Sequence, residues 1–259
     1  MILDRHLDIA VRGKIVSQDS SDEPASALLS HSIKERQNLL KNGRIRKREI
    51  LPPMKESDTP FSIPSSWRWI RLGDLGITQT GTTPPKGQVE HFGSYMPFIK
   101  PGDIYSERVD YSNEGLSKIG ARLYGRIAVA NSIVMVCIGT IGKCQLIDRS
   151  CSFNQQINSL SPYTGFDASY LYLAVRSGYF QEAALSSSAR TTIAILNKGK
   201  WELLPVPIPP LAEQRRIIAK TDQLMKLCDQ LAASLKFGQE QRSCLVTASL
   251  SEALMLATE

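Results

Sequence analysis

A short glycine-rich segment is the part of the sequence that most resembles a catalytic loop. Gly139-Thr-Ile-Gly142-Lys143 looks like part of a phosphate-binding loop, in which backbone amides and a lysine hold nucleotide phosphates. That loop requires a glycine five places before the second glycine and a serine or threonine after the lysine. Cys137 and Cys144 occupy those positions, so we expect no nucleotide site here.

Other catalytic motifs are missing from the sequence. It has no glycine triplet of a dinucleotide-binding fold and no Asp-Pro-Pro-Tyr-like tetrapeptide of an amino-methyltransferase, and no histidine is placed to suggest a catalytic triad. The carboxylates Asp103, Glu107, Asp110 and Glu114 lack the spacing of a nuclease metal cluster and are typical of turns and surfaces. The five cysteines are odd in number and include no C-x-x-C pair, which favours reduced thiols in a cytoplasmic protein.

Polar side chains in two loops are better suited to reading nucleic acid. Asn154-Gln155-Gln156 follows an aromatic residue, and Arg190-Thr191-Thr192 lies in a serine-rich loop. Amide and arginine side chains read base edges in the major groove, and lysines or glycine-turn amides hold phosphates. Asn154–Gln156 has a second interpretation, as buried amides that tie loops together.

The charge distribution is compatible with a polyanionic partner. The net charge is +6, and residues 61–200 hold 14 basic and 9 acidic side chains. An ordinary solvated surface explains the same numbers equally well. The basic run Arg44–Arg48 has the same two interpretations, a solvated face or a nucleic-acid patch. No apolar run approaches the length of about 20 residues that a membrane helix needs, and the charged N-terminus is unlike a signal peptide.

Residues 1–60 are predicted to form helices followed by a linker. Leu3, Leu7 and Ala10/Val11 share one helical face, and Gly13 is a plausible stop. Asp19–Pro24 carries helix-start residues, and Gly43 closes the second helix. The predicted apolar face of that helix contains Leu29, Ile33, Arg36 and Leu40. Leu51–Pro60 has the composition of a linker.

Residues 61–204 are predicted to form one α+β domain with many loops. The β-branched run Ile133–Ile138 is typical of a buried strand, and weaker strand patterns occur at 67–72, 96–99 and 153–160. Residues 168–181 are predicted to be helical. The irregular alternation of these elements argues against a doubly wound sheet.

Residues 205–259 are predicted to form a long spacer helix. The prolines of Pro205–Pro210 end the domain, and a helix begins near Leu211. Its apolar side chains recur at steps of four and three, the heptad pattern of a coiled coil, at Ile217, Thr221, Leu224, Cys228, Leu231 and Leu235. Such a stripe needs a partner helix, from this chain or from another.

Short motifs along nearly the whole chain, in a shared order and spacing, resemble the specificity subunit of type I restriction–modification enzymes. They are Leu7–Lys14, Ser20–Ser26, Ile63–Leu72, Thr80–Pro84, Phe98–Ile104, Gly139–Lys143, Phe153–Ile157, Leu196–Lys198 and Pro205–Ile217. The resemblance implies a target recognition domain over about 61–204 and helical spacer segments at 1–60 and 205–259. A complete member of the family carries two recognition domains, so the chain resembles a half-size form with one.

The resemblance also implies a division of labour. A subunit of this kind is not itself an enzyme: it reads double-stranded DNA. Partner methyltransferase (M) and restriction (R) subunits bind S-adenosylmethionine, ATP and Mg2+, methylate adenine and cut. A second half subunit, identical or different, would supply the other half of a bipartite target through head-to-tail pairing of the helices. No membrane partner is expected.

The base-reading residues of this family lie in variable loops, so the candidate contacts are chosen by residue type. The candidates for DNA contact are Lys86, Lys100, Lys143, Arg190, Thr191 and Lys198. Two alternatives remain open. One is the recognition module of a self-contained methyltransferase–nuclease, for which the chain length leaves no methyltransferase domain. The other is a truncated scaffold that binds partner subunits through its helices and reads no DNA.

Overall fold

The computed structural model describes residues 2–47, 50–85, 87–189 and 193–256. The chain divides into two compact units, Met1–Ile218 and Ala219–Glu259. Its helices are α1 (Ile2–Val11), α2 (Ala25–Lys41), α3 (Lys118–Tyr124), α4 (Ala168–Arg176), α5 (Gly178–Ser187), α6 (Lys198–Glu202) and α7 (Leu211–Leu256). The long helix α7 begins in the first unit, and its residues from Ala219 onward form the second.

Ten strands lie between α2 and α7 in the residues that the structure describes. They are β1 (Arg68–Arg71), β2 (Gly76–Thr80), β3 (Phe92–Ile99), β4 (Gly115–Leu116), β5 (Ile127–Ala128), β6 (Ile133–Val136), β7 (Cys144–Leu146), β8 (Cys151–Phe153), β9 (Ile157–Pro162) and β10 (Pro205–Ile208). An antiparallel sheet has the order β2-β9-β6-β7, and a second sheet has the order β4-β3-β8-β5. Strands β1 and β10 form a separate antiparallel pair. The fold is α+β with a long C-terminal helix, as the sequence predicts.

Strand β6 lies between two apolar cores. Ile133 and Met135 belong to the main core, while Val134 and Val136 belong to a second cluster. Successive side chains of a strand point to opposite faces, so a strand buried on both faces must be apolar at every position. This explains the uninterrupted run that the sequence shows.

The first helix is packed into the main core of the first unit. Leu7, Ala10 and Val11 are buried, and α1 packs against α4 and α5. Its apolar stripe is therefore covered by its own unit. Gly13 follows α1 with φ +68°, a left-handed conformation that favours glycine, and a Cβ there would lie 2.7 Å from the Pro64 ring.

Three sequence-based details differ from the structure. Ile33 on α2 is 51% exposed, because the buried face of that helix carries Ala25, Leu28 and Ser32. The strand predicted over 153–160 is two strands, β8 and β9, separated by a turn. The helix predicted over 168–181 is broken at Ser177, which has an extended backbone.

The proline-rich strand β10 is held in place by tyrosines. Pro205 and Pro207 have no backbone N–H group, which confines such a strand to a sheet edge, and β10 pairs only with β1 among the described strands. The Tyr170 hydroxyl donates to the Pro207 carbonyl at 2.7 Å, and the Tyr179 hydroxyl donates to the Pro205 carbonyl at 3.3 Å. Burial raises the pKa of both tyrosines, so both hydroxyls keep the proton that they donate.

The start of α7 is fixed to the first unit by its Glu213-Gln214-Arg215-Arg216 segment. Glu213 and Gln214 are buried. Gln214 accepts from the Asp167 amide at 2.8 Å and donates to the Pro209 carbonyl at 2.9 Å. Arg216 forms a two-pronged ion pair with the carboxylate of Asp22, at 3.2 and 2.5 Å. The first turns of the helix are therefore anchored by the Asp22 carboxylate near the N-terminus and by backbone groups of Asp167 and Pro209.

Candidate nucleic-acid interface

The structure places three of the six predicted DNA contacts. Lys100, Lys143 and Lys198 are described, whereas Lys86, Arg190 and Thr191 lie outside the described residues. All six remain predictions.

Lys100 and Lys143 belong to neighbouring loops that are joined by a hydrogen bond. Lys143 lies in the hairpin between β6 and β7, and its ammonium donates to the Pro101 carbonyl at 2.7 Å. Lys100 precedes Pro101, and its ammonium forms an ion pair with Glu114 while its side chain stays 47% exposed. The carboxylate of Asp103 accepts from the Lys100 amide at 2.7 Å and closes the turn. Lys100 is exposed and Lys143 is half-buried, and both already have an acceptor.

An exposed tyrosine lies beside these lysines. Tyr105 is 47% exposed at the tip of a narrow hairpin that the Ile104–Val109 bridge closes. The Lys143 ammonium is 5.9 Å from the centre of the Tyr105 ring, and the Arg108 guanidinium is 6.0 Å from it. The Tyr105 amide donates to the Arg108 carbonyl at 2.8 Å. An exposed aromatic ring with two cations near it is suited to contacts with bases and phosphates.

We call Lys100, Tyr105, Arg108 and Lys143 the Tyr105 cluster. Sequence reasoning selected its two lysines and missed Tyr105 and Arg108. The available signal was an aromatic and a cation three residues apart in a polar loop, Tyr105-Ser-Glu-Arg108.

The Lys143 hairpin also holds the residues that follow the Arg190–Thr192 segment, and these in turn hold Ala189 before it. The Gly139 amide donates to the Ala194 carbonyl at 3.0 Å, and the Leu196 amide donates to the Cys137 carbonyl at 2.8 Å. On the other side, the Ala189 amide donates to the Ile195 carbonyl at 2.9 Å. The structure thus brings the described neighbours of Arg190 and Thr191 next to the hairpin that carries Lys143.

The Asn154–Gln156 motif joins loops in this structure. Asn154 is buried, and its side chain bonds to the amide and the side chain of Gln156 at 3.1 and 3.0 Å. The Thr82 amide donates to the Phe153 carbonyl, and the Thr83 hydroxyl donates to the side chain of the exposed residue Gln155. A Cβ at Gly81 would lie 2.1 Å from the Asn154 carbonyl oxygen. These contacts fit the loop-tying interpretation, in which only Gln155 faces outward.

Lys198 lies in a different set of contacts. It begins α6, where the Asn197 side chain accepts from the Lys200 amide at 2.9 Å and caps the helix. The Lys198 ammonium donates to Glu202 at 2.7 Å and lies 3.5 Å from the Thr78 hydroxyl. None of these contacts involves the Tyr105 cluster.

The two cysteine thiols that flank the Gly139–Lys143 loop are unsuited to nucleophilic catalysis. Burial raises the pKa of the Cys137 and Cys144 thiols to about 12, so both remain protonated at neutral pH. Asp103 accepts from the Lys100 amide and the Asn113 side chain, and Asp110 accepts from the Ser112 amide and hydroxyl. In the part of the chain that the structure describes, no group of three or more histidine, cysteine, aspartate or glutamate side chains is placed to bind a metal ion.

None of the helices in the described residues combines the length and the apolar character needed to cross a membrane.

A mixed domain with cationic and aromatic loops, followed by a long helix, has the parts expected of a DNA-reading module with a spacer. The family model described as "Type I restriction modification DNA specificity domain" matches residues 64–236. The match covers more than half of the chain, and the chain belongs to this family.

Curated relatives carry the same family name. The chain is 33% identical over 240 residues to the type I restriction enzyme EcoAI specificity subunit of Escherichia coli, covering 87% of this chain and 39% of the relative. It is 28% identical to the EcoEI specificity subunit of the same organism, covering 96% of this chain and 44% of the relative. The chain therefore spans less than half the length of these relatives.

Solved structures share the fold. The HsdS subunit from Thermoanaerobacter tengcongensis superposes with a TM-score of 0.53 at 18% identity, covering 81% of this chain and 48% of that one. A chain from a structure of the type I R-M system superposes with a TM-score of 0.55 at 19% identity, covering 81% of this chain and 49% of that one. At this level of identity the likeness concerns the fold alone.

Proposed function

We propose that this chain reads one half of a bipartite DNA target for a type I restriction–modification system in the cytoplasm. The observation that carries the proposal is the family match over residues 64–236, which includes the domain bearing the Tyr105 cluster. The cluster presents an aromatic ring and cations on loops fixed by the sheet, an arrangement suited to groove contacts. Lys86, Arg190 and Thr191 are proposed to complete this contact surface. Lys198 is proposed as a further DNA contact outside the Tyr105 cluster.

Catalysis is assigned to partner subunits. Methyltransferase subunits would bind S-adenosylmethionine and methylate adenine, and the restriction subunit would use ATP and Mg2+ for cleavage. This chain would bind no cofactor and would direct these partners to the target. The inert thiols of the glycine loop are in keeping with that role.

The exposed face of α7 supports pairing with another helix. Leu231 and Leu235, two of the predicted heptad positions, are 62% and 65% exposed on the second unit, and Cys228 is exposed between them and the start of that unit. Apolar side chains at heptad spacing are normally covered by a second helix. We propose that this helix comes from a second half subunit, identical or different, in head-to-tail pairing. A recognition domain on each partner would then read the two halves at a fixed separation.

Co-expression with a type I methyltransferase subunit, followed by mapping of methylated adenines across the host genome, tests the proposal. Two identical inverted halves in the motif would indicate a homodimer, and two different halves would indicate pairing with another specificity chain. A soluble complex without new methylation would contradict DNA reading by this chain.

Under the scaffold alternative, the chain would bind partner subunits through its helices and would read no DNA. Competition between specific and scrambled duplexes separates the two, since binding through phosphates alone is steeply salt-dependent and shows no sequence preference. Exchanging Arg190 for alanine is a direct probe, because loss of a bidentate base contact costs about 1–3 kcal/mol. Unchanged specificity and affinity would remove Arg190 from the contact surface.

A further inference from the structure

A strongly basic cleft lies beside the edge strand β2. The cleft has a volume of about 360 Å³, and six basic side chains line it. They are Arg36, Arg44, Arg46, Lys47, Arg126 and Lys198. None of its described lining residues is acidic. A concave surface with charges of one sign concentrates the electrostatic potential and attracts ions of the opposite sign.

These cations come from four separate segments of the first unit. Arg36 lies on α2, and the chain turns at Gly43, whose φ of +66° follows the end of the helix. The turn leads residues 44–47 to the cleft, where they meet Arg126 before β5 and Lys198 at the start of α6. The fold thus gathers charges that repel one another, and a bound anion relieves that repulsion.

Most of these cations have no partner within the described chain. Lys198 is paired with Glu202. The side chains of Arg36, Arg44, Arg46, Lys47 and Arg126 form no ion pair or hydrogen bond with any residue that the structure describes. Their donors are therefore available to an external acceptor.

The rest of the lining suits a phosphodiester backbone. Strand β2 is at the edge of its sheet, so the backbone groups on its outer side have no strand partner, and residues 76–79 line the cleft. Backbone amides of this kind commonly contact DNA phosphates. Ile45, Ile77 and Tyr163 add apolar surface against which a sugar can pack.

We propose that this cleft holds the phosphate backbone of duplex DNA and anchors the duplex while the loops of the domain read its bases. The inference rests on the proposed DNA-reading function and adds to it a site that makes no base contact. Guanidinium groups bind phosphate oxygens through two parallel hydrogen bonds, so the four arginines suit consecutive phosphates better than a single ion. The sequence predicts a solvated face or a nucleic-acid patch for the basic run Arg44–Arg48, of which Arg48 lies outside the described residues. The proposal assigns the second of these roles to residues 44–47.

The test compares two variants with the same loss of charge. Arg44→Gln/Arg46→Gln removes two cations from the cleft, and Lys226→Gln/Lys236→Gln removes two exposed cations from the second unit. Affinity is measured for two short duplexes over a series of salt concentrations. One carries the motif identified by methylation mapping, and the other carries a scrambled sequence. The cleft variant is expected to bind both duplexes about tenfold more weakly, with a salt slope reduced by about 1–2 and an unchanged motif. The control variant is expected to keep its affinity and its slope.

Several results would overturn the proposal. Unchanged affinity and slope in the cleft variant would show that no phosphate is held there, and a changed methylation motif would show that the cleft reads bases. Saturable binding of pyrophosphate that is lost in the cleft variant, without competition against DNA, would identify a site for a small phosphate ion. If the double variant fails to fold, Arg126→Gln serves as the second variant.

The proposed function fails separately. If the wild-type chain binds the motif and scrambled duplexes equally, sequence reading is contradicted. In that case phosphate binding in the cleft is still tested, because the salt slopes of the cleft variant and the control variant can be compared on either duplex.

Discussion

The indole N–H of Trp67 donates a hydrogen bond to the carboxylate of Glu213 across 3.0 Å, in the buried interior of the first unit. Trp67 immediately precedes β1, and Glu213 lies in the first turn of α7, 146 residues further along the chain. Gln18 donates to the other carboxylate oxygen at 2.5 Å. The Glu213 side chain therefore links the start of α7 to Gln18 in the N-terminal segment and to Trp67 beside β1.

Removing this carboxylate is expected to destabilise the first unit. Glu213→Ala leaves the buried Trp67 N–H group without an acceptor, which costs about 1–3 kcal/mol of unfolding free energy. The control is Glu182→Ala, since Glu182 is an exposed helical glutamate and such surface changes fall within about 0.5 kcal/mol. Urea unfolding of both variants measures the difference, and equal midpoints would show that the bond contributes nothing.

The same carboxylate gives a pH signature of defined sign. Burial raises the pKa of Glu213 above its ordinary value of 4.5, despite the lowering effect of its hydrogen bonds to Trp67 and Gln18. The folded state therefore binds a proton more readily than the unfolded state, and this group's contribution to stability falls as pH rises above 4.5 toward the folded-state pKa.

Glu213→Gln removes that titration and keeps an oxygen acceptor for Trp67. The stability of the wild type minus that of the variant is expected to decline as pH rises through this interval. Chemical unfolding at closely spaced pH values measures it. A difference that is flat, or that grows with pH, would contradict the raised pKa.

The hydroxyl of Tyr170 is expected to stabilise the proline strand. Tyr170→Phe deletes the bond to the Pro207 carbonyl and leaves the ring, so we expect a loss of about 0.5–1.5 kcal/mol. Tyr95→Phe is the matched control, since Tyr95 is 59% exposed. Thermal unfolding compares the two, and an equal effect of both changes would argue against a contribution from the buried bond.

Tyr105 is expected to contribute to DNA affinity without supporting the fold. Tyr105→Ala removes the ring that lies close to both Lys143 and Arg108, and we expect binding of the specific duplex to weaken about tenfold, a loss within the range of single DNA contacts. Tyr95→Ala removes an exposed ring that forms no cation–π contact with the described residues. Fluorescence anisotropy with both variants measures the affinities. Equal affinities in the presence of native unfolding curves would exclude the Tyr105 ring from the interface.

Charges on the apolar seam of α7 are expected to prevent helix pairing. Leu231→Glu/Leu235→Glu places two carboxylates at exposed heptad positions. Gln223→Glu/Gln230→Glu adds the same charge at exposed positions on the outward face of the heptad. Sedimentation is measured at micromolar concentrations with methyltransferase subunits present. Two copies of the control variant should associate with each other under these conditions, and two copies of the seam variant should not. A wild-type chain that remains a monomer under these conditions would refute the proposed pairing.

Local patterns sufficed where one segment determines its own structure. Glycine stops and the apolar period predicted α1, α2 and the start of α7, and the β-branched run predicted β6. The capping residues expected in Asp19–Pro24 were wrong, because Pro24 is the N-cap of α2 and no side chain caps it. The break between α4 and α5 coincides with a long-range contact, in which the carboxylate of Asp8 on α1 accepts from the Tyr179 amide in the first turn of α5. A contact between residues 171 positions apart leaves no trace in the local period.

The candidate site was only partly predictable for the same reason. Lysines were chosen by residue type, which selected Lys143 but passed over Tyr105, whose position beside Lys143 depends on a hairpin closed by Ile104 and Val109. The basic cleft is assembled from four separate segments, and only the run at residues 44–47 stands out in the sequence. The two-residue strands β4 and β5 are too short for any alternation to be visible.

The flanks of the Arg190–Thr192 segment are held by main-chain bonds, from Gly139, Leu196 and Ala189 to partner carbonyls. Bonds of this kind do not depend on which side chains the intervening residues carry. The segment can therefore exchange its side chains without loss of its attachment points. If Arg190 and Thr191 contact DNA as proposed, such an arrangement separates retargeting from folding, and this stretch is then the first place to insert a library when a new DNA sequence is to be selected.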